Sequence, residues 1–222
     1  MLGLATTIAC IRWPDAPPPP DALTLTFDHQ KLHAIGQAIT EARAEQRLPG
    51  GVLWLERNGV HFTEAYGKAS VEPIHAAAQP NTIYDAASLT KVIATTTAMM
   101  LLHERGRLSI NDPVKKHLPE FTGDGREAVT LRHLLTHTSG LRPDISVKGW
   151  DGHAECIAKC VAEKLRTAPG TACKYSDINF QLLDEIIRRV TSQRLDAFCA
   201  KEIFEPLSMA DTGYNPPAAK HS

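Results

Sequence analysis

Ser88 and Lys91 stand three residues apart in the segment "ASLTKVIATT", where an apolar run begins. A serine hydroxyl is a weak nucleophile near neutral pH and needs a base within hydrogen-bonding reach. On a helix, positions i and i+3 share a face, so the Lys91 amine can lie beside the Ser88 oxygen. A free lysine titrates near ~10.4, and lowering it by about three units takes about 4 kcal/mol of desolvation or cationic repulsion. Lys91 would therefore have to be buried to act as a base. The flanking Val92, Ile93 and Ala94 and the run Ala98 to Leu102 permit that, because they make the helix apolar nearly all round. The spacing alone also fits a helix-initiating serine beside a lysine that snorkels to water.

Other constellations carry less chemistry. His133 and His137 have the i,i+4 spacing of a zinc pair, but no glutamate follows His133 and no third ligand is evident, so a structural or solvent-facing pair is expected. Ser139 lacks the G-x-S-x-G context of a nucleophile elbow. No phosphate-binding glycine loop and no C-x-x-C pair occurs. Cys156 and Cys160 fall at i,i+4 and are read as core residues rather than a bridge or a metal site. The sequence thus calls for no metal and no cofactor.

These residues need elements to hold them. Asp28 can cap a helix carrying Leu32, Ile35 and Ile39, which ends before Pro49-Gly50-Gly51. "GVLWLER" and "VHFTEAYG" flank Asn58-Gly59, the pair that best suits a two-residue hairpin turn. A loop is expected over 68–82, then a helix from Ser88 to Arg105 stopped by Gly106. Thr130 caps a short helix with Leu131, Leu134 and Leu135. Ile157, Cys160, Val161 and Leu165 mark another helix, and Leu182, Leu183, Ile186, Ile187 and Val190 a third. The loop "RTAPGTACKYSD" separates the last two. Nothing after residue 70 reads as a long strand, and one hairpin cannot stand alone, so the sheet needs further strands or cover.

The whole chain sets outer bounds. Its 222 residues, 43% hydrophobic, suffice for a core. With 24 Lys+Arg against 25 Asp+Glu, no basic surplus exists to attract nucleic acid or an anionic membrane, and no apolar run approaches the ~20 residues of a membrane span. "MLGLATTIAC" faintly suggests an export signal ending at Cys10, so a periplasmic or exported location is open. The segment lacks the Lys or Arg of an n-region, and a frayed tail before the Pro-rich linker at 14–21 is the other reading.

Several motifs follow one another in a recognisable order: "ASLTK" at 87–91, "LLTHTSGL" at 134–141, "PGT" at 169–171, "YSD" at 175–177 and "IFEPLSMADTGY" at 203–214. Over residues 28–216 the chain resembles the serine β-lactamase and penicillin-binding-protein family, in the branch of class C β-lactamases and their esterase and D-peptidase relatives. The resemblance implies an α+β fold, with an antiparallel sheet, packed helices and a helical subdomain over the cleft that contains Ser88. It divides the chain into a tail at 1–27 and a partial domain at 28–222, with helix and hairpin at 28–87 and the nucleophile helix and helical subdomain at 88–205. It implies Ser88 as the acylated nucleophile, Lys91 as its proton-transfer partner and Tyr175 as the tyrosine of a Y-x-N element. The substrate would be a small molecule or peptide bearing an ester, amide or lactam; oligomeric state stays open.

Two departures stand out. Asp177 occupies the third position of the Y-x-N element, where a carboxylate favours the charged form of Lys91 and cannot donate an amide hydrogen bond to a substrate carbonyl. That suits an esterase or peptidase better than a strong β-lactamase. The family's basic K-T-G or H-x-G strand is also absent, since Asp211-Thr212-Gly213 lacks the basic residue. That strand supplies an oxyanion donor of a kind whose loss costs roughly 2.7 to 4 kcal/mol in other hydrolases. The sequence therefore reads as unfinished at its C-terminal end, with a truncated or non-catalytic binding module as the alternative.

Overall fold

The structure, a computed structural model, describes residues 20–72, 75–145 and 151–217. The N-terminal apolar segment with Cys10, and the Pro-rich stretch as far as residue 19, lie outside the described residues. The chain divides into two compact units, one drawn from residues up to Asp85 and from Asn215 onward, the other Ala86–Tyr214.

The first unit begins with α1 (Pro20–Thr26), inside the stretch read as tail and linker. The next helix, α2 (His29–Ala44), starts as its sequence demands: the Asp28 carboxylate accepts from the backbone N–H groups of Gln30 and Lys31 at 2.9 and 3.2 Å. Strands β1 (Gly50–Arg57) and β2 (Val60–Ser70) then pair antiparallel from Arg57↔Val60 to Gly50↔Gly67. Asn58 and Gly59 both have positive φ, 53° and 76°, which matches the turn to the right-handed twist of the strands. A two-residue strand, β3 (Ala76–Ala77), pairs with β2 through Lys68 and Ser70, giving the order β1-β2-β3. The expected loop over 68–82 is corrected here, because two residues of pairing leave no alternation to read. Among the described residues of this unit the buried apolar side chains are Leu32, Ala42, Tyr66 and Ala78.

The second unit is helical around one core. A π-helical turn (Lys91–Thr96) runs into α3 (Thr97–Glu104). Gly106, with φ 67°, closes the helix as Arg107 N–H reaches back to the Leu102 carbonyl. Then come α4 (Leu131–Leu135), α5 (Gly152–Ala162), α6 (Asp177–Thr191) and α7 (Leu195–Cys199), the last followed by a π-helical turn (Ala200–Phe204). Thr130 Oγ1 accepts from His133 N–H while His133 Nδ1 accepts from Thr130 N–H, each at 3.3 Å, so a histidine completes the capping box. Helix α5 ends at Ala162, so Leu165 packs on the core from the loop beyond it. Met99, Leu102, Leu118, Phe121, Leu141 and Ile178 are among the fully buried side chains, and Cys156 and Cys160 face the same core. Among the described residues no helix is long and apolar enough to cross a membrane.

Candidate active site

Ser88 is exposed near the start of the helical unit, in a tight turn whose N–H groups at Leu89, Thr90 and Lys91 bond three residues back. Ala87 immediately before it has φ 42°, a strained value for a residue with a Cβ. The π-helical turn that follows adds a residue to the helical repeat and begins at Lys91 itself. Lys91 Nζ donates to Ser88 Oγ at 3.3 Å. The i,i+3 pairing expected from the sequence therefore exists, but with lysine as donor.

The tyrosine loop completes the group. Lys91 Nζ lies 5.0 Å from the centre of the Tyr175 ring and 2.6 Å from Asp177 Oδ1. The latter contact is an ion pair, since no aligned hydrogen-bond donor meets Oδ1. Burial pulls the Lys91 ammonium toward neutrality, but Asp177 and Tyr175 beside it outweigh that, and its pKa is raised. Its side chain is only 16% exposed, as a base would need, yet the carboxylate that shares the site favours the charged form, as the residue at position 177 led one to expect. Tyr175 moves the other way. Lys91 and the Ser88 hydroxyl hold its phenol below the ordinary tyrosine value. The arrangement thus favours the charged form of Lys91 and eases deprotonation of Tyr175 beside the serine hydroxyl.

Sequence reasoning missed what holds this loop. Ser139 is buried and donates to Asn179 Oδ1 at 2.6 Å, so it is a structural residue and not a second nucleophile. Asn179 Nδ2 lies 3.3 Å from His137 Nδ1, which also accepts the Ser176 N–H at 3.1 Å. Ser176 Oγ donates to the Arg142 carbonyl at 2.6 Å, and Asp177 N–H to the Pro143 carbonyl at 2.7 Å. Residues 137–143 therefore serve as a rail for residues 166–177. Gly140 is essential to it, because its φ of 86° is left-handed and a Cβ there would overlap the Thr167 carbonyl. Asn179, at i+4 from Tyr175, is a fully buried polar residue that no local pattern in the sequence marks. His133 and His137 have separate partners and do not converge, and among the described residues no group of three potential ligands could hold a metal.

Comparison with known proteins gives this geometry a context. The chain is 32% identical over 199 residues to Protein flp of Staphylococcus aureus (strain COL), covering 86% of this chain and 39% of that one. It superposes on the octameric penicillin-binding protein homologue from Pyrococcus abyssi with a TM-score of 0.69 and 30% identity, over 82% of this chain and 44% of that one. A class C beta-lactamase aligns with a TM-score of 0.74 and 25% identity, over 87% and 54% of the two chains. The chain thus spans well under two thirds of the length of these relatives. Its fold is β-lactamase/transpeptidase-like, combining helices with an antiparallel sheet. The family model described as Beta-lactamase matches residues 35–222, so this chain belongs to the β-lactamase family.

Proposed function

We propose that the protein is a serine hydrolase that transfers an acyl group to Ser88 Oγ and then to water, acting on an ester, amide or β-lactam. The observation that carries this reading is the Lys91 ammonium lying between Ser88 Oγ, the Tyr175 ring and the Asp177 carboxylate. Tyr175, as phenolate, takes the serine proton while Oγ forms a bond to the substrate carbonyl carbon. The carbonyl π electrons move to oxygen. On collapse of that intermediate, the bond to the leaving group breaks and Tyr175 returns the proton to it. Water then repeats the sequence on the acyl ester and frees Ser88. Lys91 stays charged throughout and stabilises the phenolate electrostatically. Asp177, lacking amide hydrogens, favours ester or peptide substrates over lactams. In this reading residues 28–87 form the helix-and-hairpin part and 88–205 the part that carries the nucleophile.

A second reading has its own support. Asp177 ties up Lys91, which suits a binding module that acylates slowly or not at all. The two readings separate on incubation with a labelled penicillin and a short-chain nitrophenyl ester beside Ser88→Ala. Hydrolysis is expected only with Ser88 present; equal signals from both proteins would remove the nucleophile assignment.

A further inference from the structure

His137 grips the main chain on both sides of Tyr175. Its carbonyl oxygen accepts the Lys174 N–H at 2.8 Å, and its Nδ1 accepts the Ser176 N–H at 3.1 Å. Its ring lies against Tyr175, with centroids 4.4 Å apart at 34°, and against Phe180 at 5.2 Å. A backbone N–H can only donate, so Nδ1 must hold the lone pair and the ring proton belongs on Nε2. The residue adopts φ 57°, which fixes the ring over the loop by a backbone conformation few side chains favour.

We propose that neutral His137 is a positioning residue, a latch that sets Tyr175 and Asp177 against Lys91, and that protonation of Nδ1 releases it. The proposal rests on the reading of Ser88, Lys91 and Tyr175 as the reacting group. The groups that face the ring are Lys91 from the π-helical turn, Tyr175 from the loop, and Asp177, Asn179 and Phe180 from α6. A proton on Nδ1 points at two donors, the Ser176 N–H and the Asn179 amide, and adds a cation beside Lys91. Asp177 favours it, as does Tyr175 whenever its phenol is ionised. Burial first, and Lys91 second, hold the imidazole below its ordinary value. The ring is therefore harder to protonate than a free imidazole, and the latch opens as pH falls.

The test follows the rate of Ser88 acylation by a nitrophenyl ester against pH in wild type, His137→Asn and His137→Phe. A phenolate base alone makes the rate fall with a slope of one toward acid. The latch steepens it to about two below the His137 midpoint in wild type, and His137→Asn, an acceptor that does not titrate, keeps a slope of one. His137→Phe keeps a ring but no acceptor, and its kcat is expected to fall about tenfold or more with little change in KM. A retained second limb in His137→Asn, or wild-type kcat in His137→Phe, overturns the proposal. NMR of the full chain reads the latch without catalysis. The Nε2–H tautomer is expected near neutrality, with the Ser176 amide shifting at the same midpoint as the His137 ring, below about 6.5. A proton on Nδ1, or a Ser176 amide that ignores the titration, overturns it. Matched titrations with labelling that persists in Ser88→Ala would uphold the latch and discard the nucleophile reading instead.

Discussion

Lys91 shows why a four-residue motif does not carry its own chemistry. The helix supplies burial, which alone would push the amine toward neutrality, but the carboxylate at Asp177 reverses the outcome. Asp177→Asn is accordingly expected to lower the Lys91 pKa and to raise penicillin acylation more than ester turnover, as read by parallel single-turnover rates; an unchanged ratio contradicts the specificity argument. Tyr175 gives a pH prediction of opposite sign. Its phenol is held below the ordinary tyrosine value, so the rate should rise with pH and level off before that value is reached, and Tyr175→Phe should lose about two orders of magnitude or more. That Ser88, Lys91 and Tyr175 lie together was legible in the sequence because motif order names them, and the structure brings them into contact. The charge on Lys91 was legible only in outline, from the presence of Asp177. The Ser139–Asn179–His137 chain was not legible at all, since its contacts join residues 40 and 42 positions apart.

The elements that set these distances follow partly from local rules. Asp28, Asn58-Gly59, Gly106 and Thr130 each announced a boundary through a cap or a positive φ, and each stands where that cap or backbone conformation is needed. The π-helical turn at Lys91–Thr96 and the short β3 left no such mark, since neither changes the spacing of apolar residues enough to be seen. Gly140→Ala tests the rail under the tyrosine loop: loss of more than ~1 kcal/mol in denaturant unfolding is expected, with slower acylation of the folded fraction. Glu185 tests the joint between α5 and α6. Burial raises its pKa, but Arg188, His153 and Arg189 overcome that and hold it at about 2, with His153 Nε2 at 2.8 Å and Arg188 Nε at 2.7 Å. A depressed carboxyl stabilises the fold above its unfolded value of ~4.3, and loses that contribution as pH falls through the folded one. Glu185→Gln should therefore cost about 1 to 3 kcal/mol at pH 7, discounted for the exposure of its arginines, and the difference should vanish near pH 2.

Over the whole molecule, burial is unequal. Every fully buried large side chain among the described residues belongs to Ala86–Tyr214, from Met99 to Ile187, whereas the unit of α2 and the hairpin holds few buried apolar groups. Amide hydrogen exchange should find its slowest protons in α3 and α6 and faster ones throughout β1 and β2. Equal protection of the hairpin would contradict that ranking. The antiparallel hairpin was legible from the segments that flank Asn58-Gly59, whereas the α+β class followed from the family resemblance. The family was legible from five motifs in order, and the family model bears it out across residues 35–222. The unequal core could not be read in advance, because hydrophobic composition does not say which segments bury one another. Everything proposed for the reaction converges on one atom, Ser88 Oγ. Intact-mass measurement after exposure to an activated ester, followed by peptide mapping, should find a single acyl adduct on the peptide containing Ser88-Leu89-Thr90-Lys91 and none in Ser88→Ala. An unmodified wild-type chain, or an adduct that survives the substitution, would contradict the proposed acyl transfer.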